Sequence, residues 1–408
     1  MTSRPDWKQG LGPIDKDRPS PAWIAALRAR FTTERTIDRV LTRKLEQRAD
    51  RPYRQTTLEQ LGAGVESLLR ANIGADFAIR ETRWLSGGAS KLQMAFTLDW
   101  TRPGAGREQT PLVLRMEPAE SIVETSRLRE FQLIKAMEGV VPVPPVFWCD
   151  ENGDHLPYPA LIYGFARGVA KPSASSSGPS GVGTTLPPAL RERIAPQFVE
   201  CLARIHAFDF SKADLSAFDN PGTGTQCAAW GLDWWQRVWE EDSGEDVPLM
   251  RLAVVWLRKN LPVLDRPVIV HADYRLGNFL FTEDDARISA WLDWELGRIG
   301  DRHQDLAWTT NHAFSSMDAD GKTPLVCGLL PESAFFEAYE RVSGFHIDAK
   351  TLHWYKVYNA YSLAVIALAT GYRISRNAKT HQDVLVAWLI GIGSSVLEEL
   401  RQHLEAGA

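Results

Sequence analysis

Between residues 92 and 100 the chain alternates: Leu92, Met94, Phe96, Leu98 and Trp100 fall on one side, and Gln93, Ala95, Thr97 and Asp99 on the other. Period two predicts a strand with one face in a core and the other towards solvent. A Pro/Gly turn at residues 102–106 leads to a second strand over 111–116, then a helix over about 126–137 and a further strand over 160–163. Upstream, apolar residues at three- and four-residue spacing predict amphipathic helices over 37–48 and 58–71. Residues 1–35 mix Pro, Gly and both charge signs with little periodicity, which predicts an irregular arm. Beyond residue 190 the pattern is mostly helical, except for two short apolar runs at 268–270 and 288–292. The order predicts an α+β protein: a small sheet-rich lobe followed by a larger helical one.

Composition narrows the class. A chain of 408 residues with 44% apolar and 24% charged residues has ample material for two domains or one two-lobed unit, and is not intrinsically disordered. Lys plus Arg is 46 against 51 for Asp plus Glu, so a net charge of −5 offers no basic field for nucleic acid. The four cysteines form no C-x-x-C pair, which suits a reducing cytoplasm. The longest apolar run, 384–393, is half of the roughly 20 residues that a membrane span requires, and the N-terminus lacks the apolar stretch of a secretion signal. A cytoplasmic protein without a membrane partner is expected. Fourteen of residues 171–188 are Ser, Gly, Pro or Thr, a composition that suits either a lid or a passive surface loop.

The chemistry concentrates in VIVHADYRLGNFLF, residues 268–281, where His271, Asp273 and Asn278 stand as H-x-D-x-x-x-x-N between apolar runs. Phosphoryl transfer needs a carboxylate beside the attacking hydroxyl and, close by, an oxygen ligand for the metal that neutralises phosphate charge. One loop supplies both. Asp293 ends the next apolar run, so Asn278 and Asp293 can share a Mg²⁺, a hard cation that prefers oxygen.

With LDWELGRIGDRHQDLAW at 292–308, this pattern resembles the protein-kinase-like fold, specifically the aminoglycoside phosphotransferase-type small-molecule kinases. Asp-Phe-Gly and Ala-Pro-Glu, expected of protein kinases, do not occur. The resemblance implies a bilobal fold with Asp273 as catalytic base and Asn278 and Asp293 as magnesium ligands. His271, Asp301 and Asp305 would brace the site, and His206 would be structural. Ser86, Gly87, Gly88, Ala89 and Ser90 sit where such a fold covers the nucleotide phosphates, and small residues let backbone N–H groups approach a polyanion. Arg115, in LVLRM, stands where the family usually has the phosphate-pairing Lys, with Glu130 as its helix partner. Residues 159–168 resemble the hinge, making Leu161, Tyr163 and Phe165 expected adenine neighbours.

The implied division is an N-terminal arm and helices over 1–76, a nucleotide-binding lobe and hinge over 77–165, and a helical lobe with the catalytic loop and substrate site over 166–408. The implied activity is ATP- and Mg²⁺-dependent phosphorylation of a small-molecule hydroxyl. The LSGGAS loop and LDWELGRIGD run look most like the phosphotransferase domains associated with acyl-CoA dehydrogenases, which act on hydroxyacyl-CoA. An aminoglycoside acceptor and a regulatory nucleotide-binding pseudokinase are the alternatives, and the sequence does not define an oligomeric state. Trp230, Trp234, Trp235 and Trp239 suit either a pocket or, at i,i+4 spacing, a buried helix face.

Overall fold

The computed structural model describes residues 7–49, 55–85, 91–173, 184–377 and 383–407. Five antiparallel strands form the small lobe: β1 (Phe77–Trp84), β2 (Leu92–Arg102), β3 (Gly106–Met116), β4 (Val146–Asp150) and β5 (Ala160–Gly164), in the order β1-β2-β3-β5-β4. The β2–β3 hairpin pairs Leu92 with Met116 through to Arg102 with Gly106. Gly104 and Gly106 turn it at φ +79° and +86°, a region that suits glycine because it has no Cβ.

The pleat decides which β3 side chains face which neighbour. Leu112 and Leu114 pack with Leu61, Val65 and Leu69 from a helix beneath the sheet. Val113 faces the other way, into the core shared with Leu133 and Met137 of the helix Arg127–Met137. Arg115, two residues on, lies on this second face, which is why it meets that helix.

Three helices precede the sheet: α1 (Pro21–Arg30), α2 (Arg35–Gln47) and α3 (Leu58–Ile73). The first lies within the stretch expected to be irregular. Ser20 caps it by accepting from the Trp23 N–H, and Trp23, Ile24 and Leu27 are buried with Phe31 and Leu45. Its apolar residues fall too unevenly for periodicity to show. The edge strand β1 was also illegible, since its RETR stretch is exposed and carries no alternation in hydrophobicity. Thr57 and Gln60 cap α3 reciprocally, and that helix packs on the sheet. By contrast, α2 binds the large lobe: Thr36 Oγ1 donates to Ala217 O (2.8 Å), and Lys44 Nζ reaches Glu241 (2.8 Å).

The helix Arg127–Met137 (α4) sits between the lobes. The large lobe follows with α5 (Pro188–Ala207), α6 (Gln226–Asp242) and α7 (Pro248–Lys259), the short strand pairs β6 (Val268–Val270) with β9 (Arg298–Gly300) and β7 (Phe279–Thr282) with β8 (Arg287–Trp291), and then α8 (Arg302–Thr309). The two short apolar runs therefore become strands, as expected. Helices α9 (Glu332–Ser343) and α10 (Ala349–Ala364) close the core, and a π-helical segment, Val365–Thr370, continues α10. Among the described residues no helix is long and apolar enough to cross a membrane.

Candidate active site

The loop joining β6 to β7 carries the H-x-D-x-x-x-x-N residues, and an aromatic stack fixes its base. Tyr274 and Trp291 stack at 3.9 Å between ring centroids, with Phe198 and Phe279 against them, all fully buried. Above the stack, Asp305 of α8 accepts from the backbone N–H groups of His271 (2.8 Å) and Ala272 (2.7 Å). Ala272 has φ +64°, a left-handed conformation costing about 1–2 kcal/mol, and this carboxylate clamp holds it there. The same Asp305 meets His206 Nε2 (3.1 Å), whose Nδ1 lies 2.7 Å from the Tyr339 hydroxyl. Asp305, one of the expected braces, thus holds the loop directly, and His206, expected to be structural, holds Asp305 from a second helix. His271 is wholly buried, which lowers its pKa. A neutral ring donating from Nε2 to Leu292 O (3.0 Å) while Nδ1 accepts the Asp273 N–H (3.3 Å) satisfies both nitrogens. Asp301 caps α8 and holds the His303 ring.

Asp273 is the centre of this arrangement. Its Oδ1 accepts from Trp308 Nε1 (2.7 Å) and Arg275 Nε (2.9 Å), and its Oδ2 accepts from Asn278 Nδ2 (2.5 Å). Burial pushes its pKa up, and Asp293 adds to this, while Arg275, His271 and Asn278 pull it down. The result is a carboxylate of raised basicity held in one orientation, which suits a general base.

Asn278 and Asp293 are brought together by the backbone between them. The Leu292 N–H donates to Asn278 O (2.8 Å) while its carbonyl accepts from His271, placing Asp293 beside the catalytic loop at φ +63°. Asn278 Nδ2 is spent on Asp273, which leaves its amide oxygen as the atom that could ligate a metal. Asp293 Oδ1 lies 2.5 Å from Arg115 Nη2, which leaves Oδ2. One amide oxygen and one carboxylate oxygen fit Mg²⁺, which retains waters and takes substrate phosphates for its other positions.

Arg115 is buried and also contacts Glu130 (3.2 Å). The expected pair therefore exists, and it extends to Asp293. Around it lies a network that sequence reasoning missed. Glu295 reaches Lys91 (2.9 Å), Arg127 (3.1 Å) and Arg115 (3.5 Å), while Glu117 holds Lys91 (3.0 Å) and Arg127 (2.9 Å). Three cations from the small lobe and α4 thus surround a carboxylate only two residues beyond Asp293. The D-x-E spacing was the available signal for Glu295; Trp308 ends the LDWELGRIGDRHQDLAW run, whereas nothing local in the sequence marks Arg127 or Arg275.

The nucleotide-side residues divide. Ser86, Gly87, Gly88, Ala89 and Ser90 lie outside the described residues. Leu161 is fully buried in the core, and Tyr163 is buried on the same face of β5. Phe165 is exposed, with the Arg83 guanidinium 5.6 Å from its ring. The N–H groups of Gly164 and Phe165 donate to Pro145 O (2.8 Å) and Pro111 O (2.9 Å), so an adenine edge here would meet other backbone groups.

A sheet lobe and a helical lobe tied together through Arg115, Asp293 and Glu295 define the class: a small-molecule kinase of the bilobal, protein-kinase-like α+β fold. Residues 85–328, more than half of the chain, match the sequence model of the phosphotransferase enzyme family, and the chain belongs to that family. Over 201 residues it is 29% identical to mouse acyl-CoA dehydrogenase family member 10, covering 48% of this chain and 18% of that protein. Over 239 residues it is 28% identical to human acyl-CoA dehydrogenase family member 11, covering 55% and 29%. The matched stretches thus span less than a third of these relatives. Among solved structures, a Ralstonia eutropha protein proposed to be an aminoglycoside phosphotransferase aligns at TM-score 0.61 and 22% identity, over 84% of this chain and 98% of that one. A macrolide 2'-phosphotransferase type I aligns at 0.51 and 18%, over 80% and 98%. At these identities the structures bear on the fold.

Proposed function

We propose that this protein transfers the terminal phosphoryl group of ATP, with Mg²⁺, to a hydroxyl of a small-molecule acceptor. The observation that carries the reading is the meeting of Asp273, Asn278 and Asp293 through the Leu292 backbone. Residues 77–165 would hold the nucleotide, residues 166–408 the catalytic loop and acceptor, and residues 1–76 would buttress both. Asp273 accepts the hydroxyl proton, and Trp308, Arg275 and Asn278 hold the carboxylate in place for it. Arg115 fixes Asp293, and Asn278 and Asp293 would hold the metal, whose role is to neutralise phosphate charge. Positioning and charge neutralisation supply most of the acceleration in such transfers.

A hydroxyacyl-CoA is the first acceptor to test, because the curated relatives are acyl-CoA dehydrogenase family members. A polycationic aminoglycoside ranks second, since the buried Arg298 and the indoles of Trp234 and Trp308 near the loop suit it poorly. Asp273→Asn tests the mechanism: turnover should fall by at least about 10²-fold while ATP still raises the melting temperature. Full activity in that variant removes Asp273 as the base.

A further inference from the structure

Arg298 stands opposite Val270 in the β6–β9 pair, just before the catalytic loop, and is 4% exposed. Its Nη2 donates to Cys227 O and Cys227 Sγ, each at 3.1 Å. Its Nε, fully buried, has no hydrogen-bond partner among the described residues. Among the described residues no carboxylate lies within ion-pair distance of it. The nearby Glu34 is engaged by Arg129 at 2.8 Å. Burial raises the pKa values of the Cys227 thiol and of the Tyr355 and Tyr358 hydroxyls, so none of these neighbours supplies a negative charge. A buried guanidinium without a counter-charge is costly, yet the chain makes room for it. A Cβ at Gly231 would lie 2.7 Å from Arg298 Nη1, and one at Gly300 would lie 3.0 Å from Nε.

Arg298 lines a cavity of about 20 Å³, room for about one oxygen. Trp234 and Gln304 also line it, and Trp234 Nε1 and Gln304 Oε1 are likewise buried without partners among the described residues. Part of its wall adjoins the candidate active site: Ala272 precedes Asp273, and Trp308 donates to it. Trp235, Leu296, Tyr358, Asn359, Ser362 and, from the π-helical segment, Ile366 complete the lining, and π-helical segments recur at functional sites.

Resting on the kinase reading, we infer that this cavity is the inner end of the acceptor site and takes a negatively charged oxygen of the acceptor, from a carboxylate or a phosphate. Arg298 Nε and Trp234 Nε1 donate to that oxygen, and the Gln304 amide, turned about its last bond, presents its NH₂. The acceptor hydroxyl then lies at Asp273. The acceptor class is an alcohol that carries its own anionic group.

The test compares matched probes in phosphate transfer from ATP and Mg²⁺: 4-hydroxybutyrate against 1,4-butanediol, and glycerol 3-phosphate against glycerol. The wild-type protein should prefer the anionic member of at least one pair by about tenfold or more in kcat/KM, and the pair that responds identifies carboxylate or phosphate. Arg298→Met should erase that preference with an unchanged or higher melting temperature, because it removes a buried charge. Arg298→Lys, which keeps the charge but not Nε, should retain part of it and serves if the Met variant fails to fold. No preference in the wild type, no transfer to any of the four, or a preference that survives in both variants overturns the inference. In each of those outcomes, Mg²⁺-dependent ATP hydrolysis and ATP-induced thermal stabilisation by the wild type leave the kinase reading standing. If the wild type shows neither, that reading falls and this one with it.

Discussion

The Trp308 indole donates its Nε1–H to Oδ1 of Asp273 across 2.7 Å, joining helix α8 to the candidate base. The bond stabilises the ionised carboxylate and opposes the upward push of burial on its pKa. Trp308→Phe keeps an aromatic wall and removes the donor. The acid limb of kcat/KM, where the base protonates, should move to higher pH by about one unit. A pH–rate profile checks this; a lower rate with an unmoved limb would make the indole merely structural.

Arg115 bridges Glu130 at 3.2 Å and Asp293 at 2.5 Å, so it spans α4 and the candidate metal-binding carboxylate. Lysine, a point charge on a single stem, cannot reproduce both contacts of the planar fork. Arg115→Lys should raise KM for ATP more than it lowers kcat, as measured in ATP titrations at saturating acceptor.

Glu295 is the carboxylate shared by Lys91, Arg127 and Arg115. Glu295→Gln leaves buried cations with too little counter-charge and should cost about 3–5 kcal/mol of stability, measured by urea denaturation. A loss below about 1 kcal/mol would mean that Glu117 and Glu130 suffice.

Asp242 ties the N-terminal helix α2 to α6 through Lys44 (3.1 Å) and Arg48 (2.5 Å). Burial pushes its pKa up, but the charges of Lys44 and Arg48 outweigh this and hold it below the ordinary 3.8. Its contribution is therefore complete above the unfolded-state pKa and is lost as pH falls through the lower folded-state value. Asp242→Asn should lower the melting temperature at neutral pH and narrow its gap from wild type as the solution is acidified below about pH 4. Thermal melts across pH 2–7 read this directly.

Local physics made part of this protein legible. Alternation over 92–100 marked β2, and the apolar runs at 268–270 and 288–292 marked strands, because side-chain period reports burial on a pleated or helical surface. The H-x-D-x-x-x-x-N spacing placed Asp273 and Asn278 on one loop, because eight residues cannot separate far when both ends are anchored in strands. Helix α1 and strand β1 escaped, one because its burial rests on Phe31 and Leu45 rather than on a regular stripe, the other because it is an exposed edge.

The sequence by itself determined strands β2, β3, β5, β6 and β8 and the loop that carries Asp273 and Asn278, all of which depend on neighbours within a few residues. Only the tertiary structure decided that Trp308 would reach Asp273, that Glu295 would collect Lys91 and Arg127, and that Arg298 would be buried with no carboxylate within ion-pair distance among the described residues. Those relationships join residues 35 to 204 positions apart or depend on which charges burial leaves unmatched. Such proximity is set by how helices and sheet pack, and no local pattern encodes it.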